Sequence, residues 1–147
     1  IRPATPEDLD VLVSLARRCP GAAAWSPSVW AQALQPPGEV WVATLGARVV
    51  GFLAAGGITE EVEILNIAVA EQDRGLGVGK RLLAVALHRA RTGGARNVHL
   101  EVRESNATAR AFYEQAGFVV TRRRTRYYTD PVEDAVLMTL ALAPERS

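Results

Sequence analysis

Three glycines at alternate positions, in Arg74-Gly75-Leu76-Gly77-Val78-Gly79-Lys80, carry the most legible chemistry in this chain. An apolar run ends just before them at Val69, and an amphipathic run begins just after. Glycine lets the backbone turn sharply and lets a ligand come close to the N–H groups. A helix that starts there leaves N–H donors without helical partners and points the positive end of its dipole outward. Together these suit an anion, a pyrophosphate in particular. A nucleotide P-loop needs Ser or Thr after its lysine, but Lys80 is followed by Arg81. A dinucleotide fingerprint needs Gly-x-Gly-x-x-Gly, and Gly75-x-Gly77-x-Gly79 misses the last interval. The plain alternative is a flexible turn with a helix cap.

A second group lies in Leu100-Glu101-Val102-Arg103 and the segment Asn106 to Phe118. Alternation along the strand puts Asn97, His99, Glu101 and Arg103 on one face, opposite Val98, Leu100 and Val102. Glu101 is then either a carboxylate beside a cleft or part of a solvated strand face. Asn106 suits a helix cap. Tyr113 follows it by two helical turns, on the same face and about 10 Å further along. Taken alone, a Phe112-Tyr113 pair also reads as core. His88 and His99 read as exposed or structural.

Elements able to position these groups follow from the pattern. Thr5-Pro6-Glu7-Asp8 is a helix start, with a hydroxyl cap, proline in the first turn and early acids. Its helix runs to about Cys19, and a second short one runs from Ser26-Pro27 to about Gln35. Strands are expected at 40–43 and 49–54, joined near Gly46 as a hairpin, and at 62–69. Helix 76–91, strand 97–102 and helix 106–116 come next, the last closed by Gly117 in a left-handed conformation. Strands 118–128 and 135–142 end the chain. The order ααβββαβαββ predicts an α/β fold: a mixed sheet with helices on both faces and one parallel neighbour pair.

At 147 residues, 48% hydrophobic and 22% charged, the chain is expected to form one domain, 1–147. A net charge of +1 gives no argument for nucleic acid or an anionic membrane. Cys19 is the single cysteine and the chain has only two histidines, so no disulfide within the chain and no metal site is expected. No apolar run approaches the ~20 residues of a membrane span, and no secretory pattern opens the chain, so the expected location is the cytoplasm. Nothing in the pattern speaks to oligomeric state.

These motifs together resemble the GNAT superfamily of N-acetyltransferases, whose pyrophosphate motif is Gln/Arg-x-x-Gly-x-Gly/Ala. Arg74-x-x-Gly77-x-Gly79 fits it, and the Asn106…Tyr113…Gly117-Phe118 spacing fits the family's later helix. The run Glu63 to Val69, Trp25-Ser26, Tyr127-Tyr128 and Glu133-Asp134-Ala135 look like the branch of bacterial ribosomal-protein-alanine N-acetyltransferases.

The resemblance implies a GNAT-type sheet, mainly antiparallel, and acetyl-CoA as acetyl donor with no metal. It implies that Ile67, Ala68 and Val69 bind the pantetheine arm through their main chain, from a strand that splays at a bulge. Arg74, Gly75, Leu76, Gly77, Val78, Gly79 and Lys80 would cradle the pyrophosphate, and Asn106 would touch the cofactor. Tyr113 would serve the thioester sulfur and Glu101 the amine. Tyr127, Tyr128 and Glu133 would line a groove for the N-terminus of a protein or peptide acceptor. An α-amine of pKa ~7.7–8 is about a tenth neutral at pH 7, whereas a lysine amine near 10.4 is neutral in well under a thousandth of molecules. A thiol of pKa ~8.5 is more acidic than a tyrosine at ~10, so full proton transfer from Tyr113 would be uphill by roughly 2 kcal/mol. Two other classes compete: an acetyltransferase for small amines or lysine side chains, and a non-catalytic acetyl-CoA sensor.

Overall fold

The computed structural model describes residues 1–129 and 131–142. The last five residues of the expected domain span, 143–147, lie outside the described residues. Strand β1 (Arg2–Pro3) leads into a 3-10 turn (Pro6–Asp8) and helix α1 (Leu9–Arg18), and α2 (Pro27–Ala33) follows. Then come β2 (Glu39–Leu45), β3 (Arg48–Gly57) and β4 (Glu61–Val69). A 3-10 turn (Glu71–Asp73) leads to α3 (Val78–Thr92), β5 (Asn97–Arg103), α4 (Ala107–Gln115), β6 (Val119–Tyr128) and β7 (Glu133–Ala141). Among strands and α-helices the expected order lacks β1, whose two residues are too few to show a period-2 pattern, and it also lacks the 3-10 turn Glu71–Asp73.

The seven strands form one sheet in the order β1-β2-β3-β4-β5-β7-β6. Every neighbour pair is antiparallel except β4 and β5, which run parallel across the α3 crossover, as the strand–helix–strand unit requires. One face carries α3 and α4, with Leu82, Leu83, Ala86 and Tyr113 packed on Leu53, Ile64, Val98, Val136 and Met138. The other face carries α1 and α2, with Leu12, Leu15 and Trp30 packed on Val42, Phe52 and Ala68. That second cluster takes no residue from β5, β6 or β7, so this half of the face is left without a helical layer among the described residues.

Two irregularities shape the middle of the sheet. Between Ala54↔Asn66 and Ala55↔Ile64 the register of β3 and β4 shifts, leaving Leu65 as the extra residue of a bulge. A bulge reverses the alternation beyond it. Ile64 faces the α3 side, yet three residues on Ile67 faces that side too, while Asn66 and Ala68 turn to the α1 side. The second irregularity is that β4 and β5 pair only over Glu61–Glu63 and Asn97–His99. Above that point they part. β5 goes on pairing with β7 as far as Arg103, and β4 goes on pairing with β3 as far as Val69.

Candidate active site

The parting of β4 from β5 opens a cleft bordered by main chain. Ala70 N–H donates to Val50 O at 2.8 Å. By the alternation of an antiparallel ladder, Ala68 also turns its main chain to β3, whereas Ile67 and Val69 turn theirs to the cleft. Of the three residues expected to bind through their main chain, Ile67 and Val69 are therefore the ones placed to do so, and Ala68 serves the sheet. The Val69 carbonyl already accepts from Arg74 Nε at 3.2 Å and from Cys19 Sγ at 3.6 Å. Cys19, distant in sequence, thus comes to the cleft strand as a buried residue at the end of α1.

The glycine cradle stands at the end of β4. Gly75 and Gly77 adopt φ +83° and +80°, and Gly77 is the left-handed cap of α3. A Cβ at either would meet nothing within 4 Å, so the space over them is open. Arg81 N–H donates to Gly77 O at 3.1 Å as the first helical bond, and no side chain caps the helix. The N–H groups of Val78, Gly79 and Lys80 therefore precede the helical ladder and are left for an anion. A cavity of about 380 Å³ lies here, walled by Val69, Arg74, Gly75, Gly77 to Lys80 and, from α4 and its C-cap, Phe112 and Ala116. Leu76 is not in its wall and stands 66% exposed. At Gly79 a Cβ would touch the Phe112 ring at an ordinary 3.6 Å, which fits a position where the family pattern accepts Gly or Ala.

A brace that the sequence reading missed fixes the approach to the cradle. Buried Asp73 takes two bonds from Arg48, at 2.7 and 3.0 Å, tying the 3-10 turn to the first residue of β3. The Arg48 guanidinium holds the Asp73 carboxyl below its ordinary range.

Helix α4 presents the second group. Asn106 caps it, accepting from Ala109 N–H at 3.1 Å, so its side-chain oxygen serves the fold and its amide NH2 is what remains for a ligand. Gly117 sits at φ +102°. Gly117 N–H donates to Glu114 O at 3.0 Å and Phe118 N–H to Tyr113 O at 3.1 Å, the bond pattern of a Schellman ending. The Tyr113 and Phe118 rings meet edge to face at 5.6 Å as its apolar contact. The Tyr…Gly-Phe spacing in the sequence is thus the device that fixes Tyr113. Its ring is buried in the core, and burial raises its pKa far above that of a free phenol. The ring is therefore core, and the hydroxyl is the group a functional role would use.

On the open half of the other face, Glu101 pairs with Arg124 Nη1 at 3.4 Å, reaching across β7 to β6. Arg124 also lies over the Tyr127 ring, 5.4 Å from its centre, and Arg103 lies over Tyr128 at 4.4 Å. The two tyrosines meet edge to face at 5.2 Å. Tyr127 is exposed and Tyr128 half-buried, and burial, with the Glu101 charge next, pushes the Tyr128 phenol up. Glu101 and Tyr128 therefore share one field.

Glu133, expected to face a substrate, does not offer a free carboxylate. It accepts from the Ser105 N–H, and hydrogen bonding from Ser105 is the main reason its pKa is lowered; Arg103, 3.5 Å away, lowers it further. Its partner is a main-chain group, which leaves no mark in a sequence. These contacts tie the start of β7 to the loop before α4. Among the described residues no group of His, Cys, Asp and Glu could hold a metal, and no helix is long and apolar enough to cross a membrane.

A sheet split within its one parallel pair, with a glycine cradle at the head of the crossover helix, is the architecture of an N-acetyltransferase of the GNAT class. A family model described as Acetyltransferase (GNAT) family matches residues 9–118, and the chain belongs to that family. It is 36% identical over 98 residues to the [Ribosomal protein bS18]-alanine N-acetyltransferase of Haemophilus influenzae, a stretch covering 65% of this chain and 66% of that one, so the match spans just under two thirds of the relative. The crystal structure of the ribosomal-protein-S18-alanine N-acetyltransferase from Escherichia coli superposes with a TM-score of 0.88 at 30% identity, over 99% of this chain and 96% of the other. A GNAT family acetyltransferase from Elizabethkingia anophelis, solved with acetyl-CoA bound, is similar at TM-score 0.76 and 25% identity, over 96% of each chain. The chain is an acetyl-transferring enzyme.

Proposed function

We propose that this enzyme transfers the acetyl group of acetyl-CoA to the N-terminal α-amine of a protein by direct attack in a ternary complex. The first candidate acceptor is the N-terminal alanine of a small-subunit ribosomal protein. The observation that carries the reading is the cleft between β4 and β5, with the glycine cradle at one end and Glu101, Tyr127 and Tyr128 on the opposite side of the sheet. The Haemophilus influenzae and Escherichia coli relatives, both ribosomal-protein S18-alanine N-acetyltransferases, support the acceptor.

The residues present suit the donor. The open space over Gly75 and Gly77 and the N–H groups of Val78, Gly79 and Lys80 would take its pyrophosphate, with Arg74 and Lys80 adding charge. The main-chain groups of Ile67 and Val69 would pair with the amide-rich arm like an added strand and aim a donor at the acetyl carbonyl. The neutral amine nitrogen attacks that carbon; the C–N bond forms and the C–S bond breaks. The amine proton passes to Glu101, directly or through water, and the sulfur receives a hydrogen bond from Tyr113. Because burial holds the Tyr113 phenol so high, it stays protonated through the working range and donates without surrendering its proton. The tyrosine pair offers flat contact area and hydroxyls for an extended peptide backbone.

Glu101→Gln tests the base. Acetylation of an Ala-Arg peptide, followed by mass spectrometry, should slow by roughly 10²-fold near pH 7 and recover partly as pH rises toward the pKa of the amine. A near-normal rate without pH dependence would return Glu101 to a solvated strand face.

A further inference from the structure

Asn66 stands out as a polar side chain that is 5% exposed inside an apolar strand. It follows the bulge at Leu65, and the reversed alternation is what turns it to the α1 side of the sheet. There it makes two bonds with one residue of the α1–α2 loop. Ala23 N–H donates to Asn66 Oδ1 at 3.0 Å, and Asn66 Nδ2 donates to Ala23 O at 2.8 Å. The side-chain amide thus stands in for a strand neighbour, binding Ala23 as a ladder would. The same loop touches the cleft at two other points. Cys19 Sγ reaches Val69 O, and a Cβ on Gly21 would lie 3.5 Å from Asn106 Nδ2. The loop therefore runs from the splayed half of β4 to the head of α4, across the place where β4 and β5 part. Trp25, at its far end, is set edge to face on Trp30 at 4.8 Å.

We infer that Asn66 is a positioning residue for the acceptor: through Ala23 it sets the height of the α1–α2 loop over the cleft, and so the entry of the acceptor amine. This rests on the peptide-acceptor reading above. It goes beyond it in assigning acceptor positioning to a residue of the cofactor strand that touches neither substrate. A bulged strand suits the task. Beyond the bulge the main chain of Ile67 and Val69 would serve the donor while the Asn66 side chain holds the acceptor wall, so the two substrates are set by one element. Asn suits the position because its short side-chain amide both accepts from and donates to one peptide group.

Two measurements decide it. In the wild-type protein, the Ala23 N–H belongs to an exposed residue yet is expected to exchange with deuterium as slowly as the sheet amides. Rapid exchange would show that the clamp does not hold and overturn the proposal. Asn66→Leu removes both bonds and Asn66→Asp keeps the acceptor alone. Both should speed exchange over Ala22 to Trp25 and raise KM for an Ala-Arg peptide, by about 10-fold for Leu and less for Asp, with KM for acetyl-CoA and kcat changed under 2-fold. If both KM values rose together, Asn66 would be holding β4 and the proposal would fail. If Asn66→Leu does not fold, Asn66→Asp carries the test. A wild-type enzyme that acetylates no peptide would overturn the acceptor reading instead, a failure told apart because the exchange arm needs no substrate.

Discussion

Tyr113→Phe is expected to lower kcat on the order of 10²-fold while leaving the affinity for acetyl-CoA and the melting temperature close to wild type. The substitution removes one hydroxyl and keeps the ring. The ring's neighbours, Phe112 at 5.2 Å and Phe118 at 5.6 Å, hold it from both sides, and its place at the Schellman ending depends on its main-chain carbonyl. The folded state therefore loses little. The transition state loses the donor that meets charge building on the departing sulfur. A general acid that gives up its proton would impose a falling limb on kcat near its own pKa. A buried phenol raised above the ordinary value of about 10 should impose none below that pH. Steady-state rates from pH 6 to 10, for both proteins, check both statements. A Tyr113→Phe rate near wild type would leave Tyr113 as core alone.

Gly77→Val should reduce acetyl-CoA affinity by roughly 10²-fold or more, from the loss of two or more charge-assisted bonds to phosphate. The side chain would rise into the open space over the cradle, where nothing stands within 4 Å. It would also force a β-branched residue to φ +80°, at a cost of about 1–2 kcal/mol. Gly79→Ala is the companion. Its Cβ meets Phe112 and Val69 at 3.6–3.7 Å and its φ is not positive, so binding should persist. Isothermal calorimetry on both variants, each first shown to be folded by circular dichroism, separates a blocked site from a broken fold. Unchanged affinity in a folded Gly77→Val would remove the pyrophosphate from the cradle.

The cradle was legible because its chemistry lies in the backbone, and only glycine writes backbone freedom into a sequence. Tyr113 was legible for a related reason: a helix ending of fixed geometry spaces Tyr, Gly and Phe at set intervals. The parallel pair followed from the strand–helix–strand order. Other features left fainter marks or none. A bulge calls for no residue type, so the flip of alternation after Leu65 could not be read, although Asn66 amid Ile64, Leu65 and Ile67 was a visible anomaly. The Asp73–Arg48 brace joins residues 25 apart, and Glu133 is held by a main-chain N–H. Glu101 was placed by alternation, but its Arg124 partner depends on β7 lying between β5 and β6, an order set by packing. The arginine pairing has a consequence for substrate entry. A cationic amine approaching Glu101 meets a guanidinium already there, so acceptor binding must displace Arg124 or share the carboxylate with it.

N-terminal specificity is the central claim, and a competition between two acceptors tests it most directly. One is a peptide with a free Ala-Arg N-terminus. The other has the same sequence, blocked at its N-terminus and carrying an internal lysine. Both are offered together with acetyl-CoA, and products are located by tandem mass spectrometry. The predicted result is an acetyl group on the α-amine of the first peptide, with the lysine peptide left unmodified over the same interval. Preferential acetylation of the lysine would contradict the account, and acetylation of neither would move the acceptor to the class of small amines.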